Sequence, residues 1–440
     1  MLDKLFGRKK TKAAPQPAPE ISFGRYSDNN KSVSKVNRWT EAEILFKERK
    51  FPESFDAFFD YIRDETQQNV RYERTGPEGR FECYQGSKIV RGQFDARKFC
   101  AEVTLARMPQ PSVPVMRRLL EMNFSLYYSR FALDSERLCM RFDSDVQTAN
   151  PSKLYYGLKE LATKGDKQDD LLVQDFSILQ TTDIEHLFPL PQHEREVKYE
   201  WFQKWIKETL DAVAALDADK FSGGIAYLLL NLAYKIDYLL SPEGKLLHDL
   251  ENISYLYFKK DDRPIVEKNR DMTSEFKKLQ SKSKEDIFQY LFRSRHTFAI
   301  TSPQPYKTIA DAIRAANDNG SWYRDNNYHF IGTQIAEYGI AYCQYSYSLP
   351  RVVTELFHLL MTINYVEYFL ALGYTEVYYD HYKNQFAISE IIQRIKDIQE
   401  PWKSKYPLMN FNTQNVKFDS LLNFNLSFTN ELAALNMEGK

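Results

Sequence analysis

Cysteine is scarce in this chain, and closely spaced pairs are missing. Four cysteines occur in 440 residues, and their spacing indicates neither a zinc knuckle nor a disulfide framework: Cys83, Cys100, Cys139 and Cys343. A chain of this length buries two or three cores without such staples. We therefore expect neither a structural metal nor a disulfide, and a reducing compartment.

A surplus of charge of either sign is also missing. Charged residues make up 27% of the chain, yet the formal net charge is only -1. Proteins that bind nucleic acid usually carry a basic domain or stripe whose field attracts phosphate. We therefore expect no nucleic-acid partner.

Long uninterrupted apolar runs are absent as well. The two most apolar segments, residues 222–240 and 352–374, contain side chains that are costly in a bilayer. These side chains are Asn231, Lys235, Asp237, Glu355, His358, Asn364 and Glu367. The basic start of the chain is not followed by an apolar stretch of signal-peptide length. We expect core helices, no integral membrane segment and a cytoplasmic location.

Glycine-rich phosphate loops and other common catalytic signatures are missing. The sequence contains neither the P-loop spacing nor the dinucleotide fingerprint, and it lacks a nucleophile elbow and a zincin motif. These absences weigh against common hydrolases, nucleotide enzymes and dehydrogenases. We expect a protein without catalytic activity, and we assign no catalytic, cofactor-binding or metal-binding residue.

An enzyme with a dispersed active site in the C-terminal half is the alternative. Glu355, His358 and Glu367 recur in one predicted helix. A spacing of three lets Glu355 and His358 share a face, whereas a spacing of nine turns Glu367 about 180° away from His358. This hypothesis requires the first two to line a deep pocket with shifted pKa values.

Two histidines are the best candidates for metal ligands. His186 and His193 stand close in sequence to three glutamates: Glu185, Glu194 and Glu196. The intervening residues 188–191 include two prolines, which favour an extended chain that keeps the rings apart. We predict an exposed interdomain linker over residues 181–196 instead of a metal site.

Two acidic segments have part of a cation-binding pattern. Residues 217–223 begin like a calcium loop, but Phe221 occupies the fifth position and no bidentate acid closes the pattern. A helix break, with Asp219 capping the next helix, explains this segment better. The run Asp143-Ser144-Asp145 is typical of a polar strand end. We predict no metal at either place.

Aromatic residues are abundant, with 29 tyrosines and 30 phenylalanines in the chain. They are densest over residues 323–347 and 365–382. We predict that they pack in the core and at domain interfaces, with peptide binding as an alternative. Base stacking is a weaker alternative because few cations accompany these rings.

Residues 1–35 have the composition of a disordered tail. Five cations precede a proline-rich stretch that favours an extended linker: Lys4, Arg8, Lys9, Lys10 and Lys12. The basic residues suggest an alternative function for the chain, a peripheral membrane scaffold whose N-terminus contacts acidic lipid.

Residues 36–180 predict an α+β domain, in which an antiparallel sheet packs against helices. Thr40 and Glu43 fit a capping box that starts one helix, and Pro52 suits the first turn of a second. Glycine-bounded aromatic and branched runs predict strands: 69–75, 80–85, 88–93, 99–107, 124–133 and 136–142. Helices are predicted at 113–122 and from Pro151 onward.

This segment is similar to the YbjN family, which is related in fold to the type III secretion chaperones. The similarity spans residues 40–175 and is carried by four runs: Ile89–Gly92, Leu119–Phe124, Ser129–Asp134 and Leu158–Ala162. The resemblance implies a secretion chaperone-like domain of the bacterial cytoplasm that binds a protein partner, in a chaperone-like or regulatory role without catalysis. The partner is not identified, and a homodimer is possible on this view.

Residues 197–440 predict a mainly helical domain that resembles no family known to us. The periodicity favours a central helix over residues 350–372, apolar nearly all round. We also expect a short strand at 297–300 and an irregular chain over the last forty residues.

Overall fold

The fold is α+β, as the sequence predicts, with an antiparallel sheet in the N-terminal half followed by helices. The computed structural model of the chain describes residues 19–28 and 31–439. The six strands of the large sheet are β1 (Val70–Thr75), β2 (Glu78–Gln85), β3 (Lys88–Phe94), β4 (Lys98–Arg107), β5 (Arg130–Asp134) and β6 (Arg137–Asp145). Their spatial order is β1-β2-β3-β4-β6-β5, and every neighbouring pair is antiparallel.

A helical hairpin precedes the sheet. Helix α1 (Val33–Lys47) begins after Ser32, whose side chain accepts a hydrogen bond from the Lys35 amide. Helix α2 (Phe51–Ile62) has proline in its first turn, as predicted. The capping box predicted at Thr40 is wrong, because Ser32 caps the helix two turns earlier.

The sheet buries one face and exposes the other, because side chains alternate along each strand. The buried face carries aromatic rings such as Phe81 and Phe99, both nearly inaccessible. The opposite face carries charges paired across strands, such as Arg137 with Glu102 at 2.8 Å. Helix α2 packs on the buried face, where Phe59 lies 4.6 Å from Phe81 between ring centroids.

Two further helices complete this half. Helix α3 (Val113–Asn123) lies beside β5, and α4 (Pro151–Asp175) crosses the buried face. Gly157 and Gly165 allow α4 its close approach, since a Cβ there would lie 2.8 Å from Phe142 and 2.9 Å from Val103. These two close contacts explain why glycine, which is usually unfavourable inside a helix, occurs twice in the middle of α4.

The C-terminal half is helical, with two-stranded pairings at its edges. Its helices are α5 (Gln192–Ala214), α6 (Ser222–Leu240), α7 (Gly244–Phe258), α8 (Ile265–Gln280), α9 (Lys284–Phe288), α10 (Tyr306–Asp325), α11 (His329–Ser346), α12 (Arg351–Asn364), α13 (Val366–Ala371), α14 (Ile388–Gln399) and α15 (Leu421–Ala434). Strands β7 (Phe188–Pro189) and β8 (Phe292–Arg293) pair with each other, as do β9 (Tyr379–Asp380) and β10 (Gln385–Phe386).

Helix α6 forms the centre of this half. Nearly all of its side chains are buried, and it packs against α5, α7, α8 and α11. A helix that is apolar all round lies inside a protein or a membrane. Among the described residues, no helix is both long and apolar enough to cross a bilayer.

The two halves are joined by a buried polar contact. The Thr297 hydroxyl donates to the Tyr84 carbonyl at 2.9 Å, and the Gln85 side-chain oxygen accepts from the Thr297 and Phe298 amides. The strand predicted at 297–300 is wrong, because these amides are satisfied by Gln85 and leave no ladder to form.

Residues 19–28, which we call the N-terminal strap, differ from the predicted disordered tail. They lie against the helical half, where the Gly24 amide donates to the Tyr238 carbonyl and Arg25 forms an ion pair with Asp237 at 2.8 Å. The strap also reaches the other half, since the Tyr155 hydroxyl donates to Asp28. The basic residues at positions 4 to 12 lie outside the described residues.

Three other elements differ from the sequence prediction. The strand predicted from residue 124 begins at Arg130, because the preceding turn is held by a carboxylate on α4. The last forty residues contain the buried helix α15, whose Phe424 and Phe428 pack in the core. The long helix predicted at 350–372 breaks at Tyr365 into α12 and α13.

Candidate functional site

Helix α3 turns a row of large apolar side chains toward solvent. Val113 is 72% exposed, Leu120 64%, Phe124 95% and Tyr127 91%. The helical members are spaced by seven and four residues, which places them on one helix face. A group of several large exposed apolar side chains is often a binding site. We call these four residues the α3 row.

A shallow recess lies at the start of the row. Its volume is about 320 Å³, and its lining is mostly apolar: Pro111, Ser112, Val113, Met116, Arg117 and Leu120. A recess of this size accepts one large apolar side chain of a partner, such as leucine or phenylalanine.

The recess and row adjoin an edge of the sheet. Among the described residues, β5 is the last strand of the sheet and pairs with β6 alone. The Phe131 amide is capped by the Asn123 side-chain oxygen at 2.9 Å. An edge strand of five residues still offers backbone groups to an incoming strand. The apolar row therefore lies next to a place where an extended segment can pair.

One carboxylate shapes the turn between the row and the edge strand. Glu160 on α4 accepts hydrogen bonds from the amides of Tyr127, Tyr128 and Ser129 at 2.8–2.9 Å, and from the Ser129 hydroxyl. Burial alone would raise the pKa of Glu160, but these hydrogen bonds outweigh it and lower the pKa. The turn is thus fixed by a charged group on the neighbouring helix.

We expect Glu160→Gln to loosen this turn. The neutral amide accepts fewer hydrogen bonds, and its NH₂ group faces amide donors, so exchange of the Tyr127 to Ser129 amides should rise about tenfold. Because the folded-state pKa is lowered, the contribution of Glu160 to stability is present above its unfolded pKa and is lost as pH falls through the folded value. Unchanged hydrogen exchange in the variant at pH 7 would contradict this role.

Two of the charges beside the row are unpaired cations, and the exposed Glu121 adds one negative charge on the same helix. Arg117 and Arg118 are exposed on α3, and neither forms an ion pair within the described part of the chain. Arg130, at the start of β5, is paired with Asp143 at 2.5 Å. Two free arginines beside apolar anchors favour an acidic partner.

The histidines considered as metal ligands bind backbone carbonyls instead. A ring nitrogen of His186 lies 3.3 Å from the Gly86 carbonyl oxygen, and one of His193 lies 2.8 Å from the Ala371 carbonyl oxygen. Glu194, next to His193, pairs with Lys198 inside α5. Within residues 19–28 and 31–439, no group of acidic, histidine or cysteine side chains has the arrangement of a metal site.

The acidic segments also have structural partners. The Asp217 carboxylate accepts from the amides of Asp219 and Lys220 at 3.0 and 2.8 Å. The predicted cap at Asp219 is wrong, because Asp217 closes this turn and α6 begins without a side-chain cap. Asp143 bonds the guanidinium of Arg130.

The structure does not bring the three candidate catalytic residues together. His358 is buried against Phe23, its Nδ1 lies 3.2 Å from the Tyr238 hydroxyl, and burial lowers its pKa to about 4. Glu355 accepts a hydrogen bond from Arg351, and Glu367 lies on the separate helix α13. None of these contacts joins two of the three residues, so they give no support to the dispersed enzyme site.

A serine, a histidine and a glutamate do meet at the junction of the halves, which sequence reasoning missed. Ser294 Oγ lies 3.0 Å from His296 Nε2, and Glu243 Oε1 lies 3.2 Å from the same nitrogen. The Gln85 amide occupies the other nitrogen, Nδ1. A nucleophile relay needs the two partners on opposite nitrogens. This group is therefore a structural contact.

The dense tyrosine segments pack among the helices. The rings of Tyr234 and Tyr345 lie 4.5 Å apart between centroids, and Tyr338 on α11 lies near Tyr234 on α6. Tyr365 and Tyr368 lie around Trp205. These contacts fit the predicted packing role.

The α3 row was overlooked in the sequence because residues 113–122 have the pattern of an ordinary amphipathic helix. The apolar positions lie on two faces, and only the one with Val115 and Leu119 is buried. An apolar residue at both Leu119 and Leu120 was the available signal.

The comparisons with family models and with curated proteins identify no relative of this chain. No protein-family model matches the chain, and no curated protein matches it. The resemblance to the YbjN family stays a prediction.

Proposed function

We propose that the chain is a non-enzymatic protein-binding module of the bacterial cytoplasm, in a chaperone-like or regulatory role. The observation that carries this proposal is the α3 row, exposed beside the open edge of β5. An extended partner segment pairs with the strand edge and places its apolar side chains on the row.

The surface specifies the chemistry of the partner segment. One large apolar side chain fits the recess, and a second packs on Phe124 and Tyr127. Acidic residues flank these anchors, because Arg117 and Arg118 need counter-charges. The partner is therefore an extended, acidic segment with alternating large apolar residues.

Photo-crosslinking in the native cells tests where the partner binds. A benzoyl-phenylalanine replaces Tyr127 in one variant and Tyr382, on the other half of the chain, in a second. Both sites are matched in exposure, at 91% and 95%. We expect a protein adduct at position 127 and none at position 382. Equal adducts at both positions, or none at either, would count against the proposal.

Phe124→Asp should separate binding from stability. Phe124 makes few contacts, so the free energy of unfolding should change by less than about 0.5 kcal/mol. Removal of an apolar anchor from the centre of an interface weakens binding about tenfold or more. The measurements are urea unfolding of the full chain and its affinity for a peptide with alternating leucine and phenylalanine flanked by glutamates.

A charge exchange tests the predicted partner chemistry. The double variant Arg117→Glu/Arg118→Glu should lose affinity for the glutamate-flanked peptide and gain affinity for the same peptide flanked by lysines. The wild-type preference should weaken with salt. Sedimentation with phosphatidylserine vesicles that depends on Phe124, without peptide binding, would replace the protein partner by a lipid surface.

A further inference from the structure

Four carboxyl groups meet where the two halves touch. Asp166, Asp169 and Asp170 lie on α4, and Glu243 directly precedes α7 in the helical half. Burial without full counter-charge makes such a group costly to ionise. Binding of protons by these carboxyl groups lowers the cost of burying them.

Within residues 19–28 and 31–439, two groups that can carry positive charge face this cluster directly. Lys88 on β3 lies 3.0 Å from Asp169 Oδ2, and its ammonium is otherwise held by the Leu105 and Thr182 carbonyls. His296 lies 3.2 Å from Glu243, and its Nδ1 faces the Gln85 amide. The four carboxyl groups outnumber the cations that face them.

Several other charges on these helices are paired with one another. Lys167 on α4 lies 2.9 Å from Glu251 on α7, which also faces Arg25 at 3.4 Å. Lys245 pairs with Asp249 within α7 at 3.3 Å. Tyr290 adds a neutral ring beside Asp170. These pairs leave the four carboxyl groups to be balanced by Lys88, His296 and protons.

Two glycines bring the backbone into close contact with two of the carboxyl groups. Gly86 and Gly244, one from each half, have φ of +53° and +57°. A Cβ at Gly86 would lie 2.1 Å from Asp166 Oδ1, and one at Gly244 would lie 2.4 Å from Asp170 Oδ2. Glycine alone fits both positions.

One carboxylate oxygen in the cluster has no partner in the structure. Asp169 is only 5% exposed, and its Oδ1 has no hydrogen bond among the described residues. Its Oδ2 accepts from the Ser87 hydroxyl and from Lys88. Protonation of Asp169 removes the cost of keeping an ionised oxygen buried without a donor.

Burial raises the pKa values of two aspartates into the range of neutral pH. Burial, with Glu243 and Asp169 nearby, raises the pKa of Asp166 to about 8. Burial and Asp169 raise the pKa of Asp170 to about 7. Unfolded aspartate ionises near pH 4, so between these values the folded junction holds protons that the unfolded chain has released.

We propose that the contact between α4 and the start of α7 is a proton-dependent latch, which holds the two halves together while its carboxyl groups share protons and opens as they ionise. Repulsion among Asp166, Asp169, Asp170 and Glu243 drives the opening. The free energy that holds the halves together falls as pH rises from about 4 toward 8.

Hydrogen exchange of the full chain tests the latch. Amides of residues 84–90 and 240–248 are followed from pH 6 to pH 9, with the intrinsic chemical rate divided out. We expect the corrected rates to rise at least about tenfold in the wild type, because the folded pKa values of about 7 and about 8 lie above the starting pH of 6. In Asp166→Asn/Asp170→Asn the rates should stay flat, because the amides cannot ionise while their oxygens still accept hydrogen bonds.

Asp175→Asn is the matched control, since it removes an exposed acid from the end of the same helix. It should keep the wild-type profile. Flat wild-type rates, or an unchanged rise in the double variant, would overturn the latch.

Infrared absorption of protonated carboxyl groups gives a test without substitution. The band should be present at pH 6 and gone at pH 9, and its absence at pH 6 would also refute the proposal.

Discussion

Replacement of Arg25 by methionine is expected to lower the free energy of unfolding by about 3–5 kcal/mol. The guanidinium holds Asp237 through both carboxylate oxygens, at 2.8–3.1 Å, and lies 4.0 Å above the ring of Tyr345. Asp237 is only 3% exposed, so the substitution leaves a buried carboxylate without its counter-charge. Urea unfolding of the full chain measures the loss.

The same loss should depend on pH. Burial already raises the pKa of Asp237, and Arg25 opposes this rise. Without Arg25 the pKa rises further, so the variant binds a proton as pH falls and recovers stability. The deficit should therefore be larger at pH 8 than at pH 5.

Two controls distinguish the effect of breaking the buried ion pair from the effect of removing any positive charge. Arg25→Met combined with Asp237→Leu should recover most of the loss, because neither charge is then left unpaired. Arg351→Met removes an exposed ion pair with Glu355 and should cost less than about 1 kcal/mol. A double variant as unstable as Arg25→Met alone would show that the loss comes from another contact of Arg25, such as its packing on Tyr345, and not from the unpaired carboxylate.

The second large effect is expected in the core of the α+β half. Phe59→Ala should cost about 3–5 kcal/mol, because it empties the space between α2 and the sheet. The ring is fully buried and lies 4.5 Å from Tyr72 and 4.6 Å from Phe81, between centroids. Hydrogen exchange should rise first in α2, which packs on the sheet through this residue.

Phe124→Ala is the matched control, since it removes the same ring from a position that is 95% exposed. Its effect on stability should stay within about 0.5 kcal/mol. Equal losses from both substitutions would mean that Phe124 is covered in the folded chain, which would also remove the basis of the α3 row.

Much of the fold could be predicted because it depends on local patterns. Pro52 marked the first turn of α2, and glycine-bounded runs located the strands of the large sheet. Boundaries were missed where a distant group decided them. Glu160 on α4 holds residues 127–129 in a turn, so that β5 begins later than predicted. The sequence of the turn itself contains no signal for this distant carboxylate.

The candidate surface was only partly accessible to prediction. The sequence indicated a helix at residues 113–122 but did not distinguish its exposed face from its buried one. That choice depends on where β5 and α4 lie. The α+β class, the helical C-terminal half and the absence of common catalytic motifs follow from the sequence alone.

Tertiary structure alone decided the strap and the latch. Arg25 and Asp237 are 212 positions apart, and the carboxyl cluster joins residues of α4 to Glu243 and the turn at Gly86. The periodicity of apolar residues determines helices and strands because it reflects which face is buried within one element. Contacts between charges in different elements leave no periodic pattern, since their free energy depends on burial and distance after the elements have packed.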